Sequence, residues 1–356
     1  MATSNNPLIL AINPGSTSTK VAIFAGNRKI KESKLNHSQE ELDRFNALWD
    51  QFDMRLKAIQ DFLADQNYRF DAVVGRGGLL KPVRRGTYLV NDAMLEDARA
   101  GVQGEHVSNL GCALAYRVAQ KYGCNAYVVD PVSVDEFQSL ARYSGHPLIT
   151  RRSLSHALNI RAAAIWAAEQ INKDVTQTNY IVAHMGGGIS VAPVQGGSII
   201  DVNDASSDGP FSPERTGGLP LQPFIDLCFS GRFSRRDMKR LVMGNGGLVA
   251  YLNTNDLKVV EEKIRQGDDY AREVFQAMIY QIAKEIGAMS TVLHGQVQRI
   301  VLTGGLARSD RLVTELRERV QFIAPVIVIP GELEMEAMAA GVLRVLSKQE
   351  QAKTYP

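Results

Sequence analysis

No apolar run in this chain approaches the roughly 20 residues that a bilayer-spanning helix needs, and residues 1–10 lack the charged-then-apolar form of a signal peptide. A membrane partner is not expected, and the reading is a cytoplasmic protein. Cysteine is scarce. Cys112, Cys124 and Cys228 are an odd number with no metal-ligand spacing, so they read as buried or inert thiols in a reducing compartment. An excess of one charge is missing as well. The 40 basic and 38 acidic residues leave +2, with no basic tail or stripe, which makes nucleic acid a poor partner. No low-complexity linker interrupts the 356 residues, whose 45% hydrophobic and 22% charged content suits a globular chain long enough for two cores. Any junction between domains must then be a hinge of ordered chain.

What the chain does have is turns of small residues set between short apolar strands. In Ile9-Leu10-Ala11-Ile12-Asn13-Pro14-Gly15-Ser16-Thr17-Ser18-Thr19-Lys20-Val21-Ala22-Ile23-Phe24, the whole of 13–19 is Asn, Pro, Gly, Ser or Thr. A hairpin reverses in two to five residues, so this length needs another reason. Backbone N–H and hydroxyl groups in such a turn can converge on an anion, and the missing side chain at Gly15 lets a phosphate approach the main chain. The spacing is not that of the P-loop, which needs Gly-Lys-Ser/Thr opening a helix. The design recurs at Tyr180-Ile181-Val182-Ala183-His184-Met185-Gly186-Gly187-Gly188-Ile189-Ser190-Val191-Ala192-Pro193-Val194, and the two copies end in second turns at Gly26-Asn27 and Gly196-Gly197. One phosphate-type hairpin in each half predicts a duplicated architecture with a nucleotide cleft between the halves. A third turn, Val301-Leu302-Thr303-Gly304-Gly305-Leu306-Ala307-Arg308-Ser309, follows a strand and opens a helix at Asp310, the usual placing for a nucleotide contact in an α/β protein.

Between these turns, strands and helices alternate. Residues 71–75 read as a buried strand leading into Arg76-Gly77-Gly78, and 126–129 as a strand that delivers Asp130 to its end. Val107, Leu110, Leu114 and Val118 mark one helix face, ended by Gly123. Residues 154–171 read as an Ala-rich helix that opens the second half. Residues 268–295 read as a long helix with Phe275, Met278, Ile282, Ile286 and Met289 facing inward.

The ordered set Asn13-Pro14-Gly15-Ser16-Thr17-Ser18-Thr19-Lys20, Glu105-His106-Val107-Ser108-Asn109-Leu110-Gly111, His184-Met185-Gly186-Gly187-Gly188, Asp208-Gly209-Pro210-Phe211-Ser212-Pro213-Glu214-Arg215 and Thr303-Gly304-Gly305 resembles the acetokinase family of carboxylate kinases, within the actin and sugar-kinase superfamily. The match runs over nearly the whole chain. It implies an α/β, duplicated ribonuclease-H-like fold of two domains with a nucleotide cleft between them. One domain is 1–150 joined by the C-terminal helix at about 337–356; the other is 151–336 and binds the nucleotide.

The resemblance also implies roles. Asn13, Ser16, Ser18 and Lys20 lie on the phosphate side of ATP, and Gly186, Gly187, Gly188, Gly304 and Gly305 approach the nucleotide. Arg76 and Arg215 bind the carboxylate and the phosphoryl group in flight, a task suited to a planar, permanently charged fork. Read singly, each would be a structural or solvated arginine. Asp130 places Mg²⁺ or the attacking carboxylate; without the resemblance it is equally a loop cap before Pro131. His184 donates to the transferring phosphoryl group, although a lone histidine beside a strand is more often structural. His106 resembles the family's second histidine, yet it also precedes a helix and can simply orient the local backbone. The metal-associated glutamate aligns with Glu336, with Glu334 as the alternative register, in a stretch that also reads as the first turn of a helix. Ser309 stands where a polar residue meets adenine or ribose, and is equally a helix N-cap.

A carboxylate is ionised at neutral pH and needs no general base. Catalysis should rest on alignment and charge neutralisation, in the direct in-line transfer RCOO⁻ + MgATP ⇌ acyl phosphate + MgADP, with domain closure excluding water. Two departures from the acetate enzymes bear on the acid. Ala183 stands where those enzymes place a bulky aromatic, and Gly78 where they carry valine. Both read as volume removed near the acyl group, so that butyrate, isobutyrate or another short acid fits, each methylene being worth about 1 kcal/mol or somewhat more. Propionate and acetate are the smaller alternatives. A sugar or glycerol kinase would instead use a carboxylate base near a polyol pocket, and a non-catalytic actin-like nucleotide-binding protein would lose the arginine pair; Arg76 and Arg215 argue against both. The family further implies a homodimer or higher homo-oligomer.

Overall fold

The computed structural model describes residues 6–64 and 67–356, so the reading of residues 1–10 as carrying no leader falls partly outside it. Two compact units divide the chain: Met1–Asp135 together with Leu333–Pro356, and Glu136–Glu332. From the sequence the expected divisions fall at 150/151 and 336/337. Residues 136–150 side with the second unit because Gln138 N donates to Ile200 O at 3.0 Å and Arg151 Nη1 donates to Ala141 O at 2.7 Å. Glu334 sides with the first through bonds to Asn13 and Arg76.

In the first unit the strands are β1 (Leu8–Pro14), β2 (Ser18–Ala25), β3 (Arg28–Asn36), β4 (Ala72–Arg76), β5 (Thr87–Leu89) and β6 (Asn125–Val129). They form one sheet with the order Lys353–Thr354, β5, β6, β4, β1, β2, β3. The second unit holds β7 (Asn179–Met185), β8 (Ile189–Gln195), β9 (Ser198–Ile199), β10 (Arg299–Gly304) and β11 (Val326–Pro330), in the order β11, β10, β7, β8, β9. The series β3-β2-β1-β4-β6 and β9-β8-β7-β10-β11 match strand for strand. In each, the first two pairings are antiparallel and the last two parallel. The duplication expected from the paired turns is thus present in the topology, and Gly26-Asn27 and Gly196-Gly197 make the second hairpins. β1 and β7 sit mid-sheet with both faces covered, which is why they read as continuous apolar runs rather than alternating ones.

Helices lie where the periodicity put them, with ends set by local chemistry. Asn109–Tyr122 stops at Gly123, which takes the left-handed conformation at φ 65°. Asp269–Val292 starts at Asp268, whose carboxylate accepts Ala271 N at 2.9 Å, and it buries all five residues expected to face inward. The Ala-rich helix is shorter than expected, Ala157–Glu169, because His156 at ψ 49° is not yet helical. Among the described residues no helix is long and apolar enough to cross a membrane. Burial pushes the Cys112 thiol up to about 12 and Cys124 to about 11, so both are thiols without nucleophilic character at neutral pH.

One backbone contact fixes the end of β4. A Cβ on Gly75 would overlap the Gly111 carbonyl, and a Cβ on Gly111 would overlap that of Arg76. The first turn of the helix Asn109–Tyr122 therefore lies directly on β4, and Arg76 leaves the strand in one direction. Gly111→Ala should lower stability by about 1–3 kcal/mol through overpacking, read as a drop in thermal midpoint. An unchanged midpoint would contradict this contact.

Candidate active site

In the first unit the β1–β2 turn is built around an arginine that carries no motif. Arg55, fully buried on the helix Phe52–Leu63, donates from Nη1 to Gly15 O (2.9 Å) and Ser18 O (3.2 Å), and from Nη2 to Ser16 O (3.1 Å). Thr17 O accepts from His37 N at 2.9 Å, and Gly15 N adds a 2.7 Å bond to Ser18 O. All four carbonyl oxygens of 15–18 are thus bonded from within the protein. Burial pulls the Arg55 guanidinium down to about 10, still cationic at neutral pH. A positive charge beneath a turn whose acceptors are engaged favours an anion above it. Ser16 is exposed at the tip, and Lys20 on β2 pairs in register with Asn13 on β1.

The same unit brings four of the expected residues together. Arg76 and Asp130 are each 4% exposed, at the ends of the neighbouring strands β4 and β6. Arg76 Nη2 meets Glu334 Oε1 at 3.2 Å, and Asn13 Nδ2 donates to Glu334 Oε2 at 2.7 Å. Asp130 occupies the left-handed region at φ 39°, and its Oδ1 accepts Gly86 N at 2.7 Å. A non-glycine residue held there by a strand end and a following proline is strained backbone of the kind found at functional sites. Glu336 is elsewhere: its carboxylate bonds the exposed Lys29 at 2.9 Å. It is thus Glu334, and not Glu336, that lies against Arg76 and Asn13, because two residues along the first turn of a helix rotate a side chain to another face. Among the described residues no three carboxylate, imidazole or thiol groups converge as a metal cage. Two buried carboxylates, Asp130 and Glu334, fit a nucleotide-borne Mg²⁺, which takes one or two protein carboxylates and keeps its waters. His106 Nδ1 lies 2.7 Å from Ser108 Oγ and accepts Ser108 N at 3.3 Å.

In the second unit the β7–β8 turn solves the same problem differently. Gly186 N donates to Gly188 O at 3.0 Å, and Ser212 Oγ donates to Gly187 O at 2.6 Å. A Cβ on Gly188 would overlap the Arg215 guanidinium, and one on Gly186 would lie 3.3 Å from His184 Nε2. The turn thus has a cation and an imidazole against its main chain. Ser212 also accepts Arg215 N at 3.2 Å, and Arg215 Nη1 donates to Ala205 O at 3.1 Å. Burial lowers the Arg215 pKa. His184, 2% exposed, bonds Asn159 through Nδ1 at 2.8 Å. Gly304, at φ 92°, and Gly305 leave β10, where Gly304 N donates to Gly331 O at 2.8 Å. Ser309 is the N-cap of Asp310–Val320: its Oγ accepts Leu312 N at 3.0 Å and donates to Glu261.

The Acetokinase family profile matches residues 148–323. "Probable butyrate kinase 2" of Caldanaerobacter subterraneus subsp. tengcongensis is 50% identical over 98% of this chain and 99% of its own length. "Butyrate kinase 2" of Clostridium acetobutylicum is 48% identical over the same shares. The chain belongs to the acetokinase family. The crystal structure of Porphyromonas gingivalis acetate kinase, 17% identical, superposes with a TM-score of 0.76 over 96% of this chain and 100% of that one, so the acetate-kinase fold is shared.

Within that acetokinase fold, neither residue read as vacated volume lines an open space. Ala183 is fully buried and packs in the apolar cluster with Ile181, Met185 and Met278. Strand alternation sends it to the opposite face of β7 from His184. Gly78 is filled by a neighbour: a Cβ there would lie 2.7 Å from Asn109 Cα and N. Both positions report close packing, which a sequence cannot tell from empty space.

Two measurements check these placements. Arg55→Met should lower stability by about 3 kcal/mol or more, since it strips donors from several carbonyls, and should raise KM for ATP more than it lowers kcat; wild-type KM in a folded variant would sever Arg55 from the turn. Ala183→Phe should overpack the core, lowering the thermal midpoint and depressing butyrate and acetate turnover together. A changed butyrate-to-acetate ratio at an unchanged midpoint would return Ala183 to the acyl group.

Proposed function

We propose that this chain is an ATP-dependent carboxylate kinase that catalyses butyrate + ATP ⇌ butyryl phosphate + ADP. The observation that carries the chemistry is the pair Arg215 and His184 against the main chain of 186–188, where the carbonyl of Gly187 is already occupied by Ser212. Such a turn offers donors and positive charge to a phosphoryl group and little else. The choice of butyrate is supported by the names of the full-length relatives. Isobutyrate and propionate are graded alternatives, since one methylene gives only about 1–3 kcal/mol of discrimination.

Roles follow from charge and placing. The carboxylate oxygen attacks phosphorus without prior deprotonation, so alignment and neutralisation replace a general base. Arg76, held by Glu334, binds the acid. Arg215 neutralises the equatorial phosphoryl oxygens, and His184 donates a hydrogen bond to them. Asn13, Ser16, Ser18 and Lys20 serve the phosphates of ATP at the first turn, and Gly304 and Gly305 serve the nucleotide at the third. Asp130 and Glu334 would hold Mg²⁺, which when bound screens the polyphosphate charge. We further assign a cytoplasmic location and a homo-oligomeric state of at least a dimer.

Hydroxylamine traps acyl phosphates, so wild-type protein with ATP and butyrate should yield butyryl hydroxamate, with less from acetate. Nucleotide turnover without hydroxamate from any short acid would sink the reading. In the same assay Arg215→Ala should lose roughly 10²-fold or more in kcat, as for removal of a charge clamp, at a near-normal thermal midpoint. Near-normal kinetics would make Arg215 structural.

A further inference from the structure

Behind the His184 ring, buried polar groups stand in one chain, and each can be assigned its hydrogens. Asn159 and Thr303 are fully buried. Thr303 Oγ1 lies 3.1 Å from Gly331 O. A carbonyl only accepts, so the single hydroxyl hydrogen goes there. Thr303 must then accept from the Asn159 atom 3.2 Å away, which makes that atom the amide nitrogen Nδ2 and not Oδ1. The same nitrogen is 2.8 Å from His184 Nδ1. An N–H directed at Nδ1 requires a lone pair on it, and the ring's own hydrogen is left on Nε2. Nε2 is the nitrogen on the Gly186 side of the ring. The ring plane is held as well: His156 stacks on it with centroids 4.0 Å apart at 13°, and is itself anchored through Nδ1, 3.0 Å from Ser190 Oγ.

We propose that Asn159 is a positioning residue which, with Thr303 and the Gly331 carbonyl behind it, fixes His184 as the neutral Nε2–H tautomer. His184 then presents a hydrogen-bond donor, and never an acceptor, to phosphoryl oxygens at the 186–188 turn. No proton is transferred; the chain of donors runs from the amide towards the ring and leaves the ring's hydrogen facing the substrate. The fixed positive charge comes from Arg215 against the same turn, and a second cation beside it would be opposed by like charge. The role of the tautomer in catalysis rests on the kinase reading above, whereas the tautomer itself does not.

The test uses the whole protein labelled with ¹⁵N-histidine. A long-range ¹H–¹⁵N spectrum distinguishes the two tautomers and the imidazolium for each of the six histidines, and His184 is assigned by the signal missing from His184→Gln. At neutral pH His184 should show a protonated Nε2 and an unprotonated Nδ1. Asn159→Asp keeps the volume but replaces the donor by a carboxylate that only accepts, so Nδ1 should become protonated. In this variant kcat should fall about 10²-fold with KM for ATP within about twofold. A protonated Nδ1 in the wild type, or an Asn159→Asp enzyme with wild-type kcat, would overturn the proposal. Because the wild-type spectrum needs no substrate and only His184→Gln for its assignment, a poorly folding Asn159→Asp leaves the proposal decidable. Wild-type protein that makes no acyl hydroxamate would remove the kinase reading and leave the tautomer standing.

Discussion

Phosphate oxygens and carbonyl oxygens repel each other, so a main chain that approaches a phosphate must first engage its own acceptors elsewhere. The β1–β2 and β7–β8 turns both meet that condition. In the first, the buried Arg55 takes three carbonyls and the backbone of His37 the fourth. In the second, Ser212 takes one and the turn's own Gly186 another. The helix Phe52–Leu63 and the loop that carries Ser212 are each tied to a turn by these bonds. An arginine without water costs free energy, and its bonds to three carbonyls of the first turn offset that cost.

Much of this was legible in the sequence, because it is local. The two hairpins with small-residue turns, their second turns at Gly26-Asn27 and Gly196-Gly197, the helix stop at Gly123 and the cap at Ser309 each depend on a few adjacent residues. What escaped depends on contacts across long separations. Arg55 is 40 residues from Gly15 in sequence, and its only signal is an arginine in line with Ile59 and Leu63 on the buried face of a helix. Asn159 reaches His184 and Thr303 from 25 and 144 residues away. Small residues misled for the same reason: the spaces beside Gly78 and Ala183 are taken by Asn109 and by the core, which a linear reading cannot see.

The repeat explains why a second copy could diverge. The two five-strand series share order and direction, so the strand ends and the turns between the first two strands come with the fold. What surrounds each turn is drawn from the segments inserted after the third strand of each series, between β3 and β4 in one and between β9 and β10 in the other. The first insertion supplies Arg55. The second supplies Ser212 and Arg215. A common frame thus carries two differently supported turns, one resting on a buried cation and one against a partly buried guanidinium and an imidazole.

The positive charge beneath the first turn and at the end of β4 is carried by arginine. Arg55 remains cationic even with burial lowering it to about 10, and Arg76 is locked to Glu334 at 3.2 Å. The imidazole placed at the second turn is wired instead as a hydrogen-bond donor, through an amide whose orientation the Thr303 hydroxyl dictates. A reaction between two anions, a carboxylate and a polyphosphate, needs constant positive potential and well-aimed donors rather than a base poised near pH 7. The division of labour among arginine, histidine and main chain meets that need: the guanidinium groups bring charge, and the imidazole and the backbone bring aimed donors.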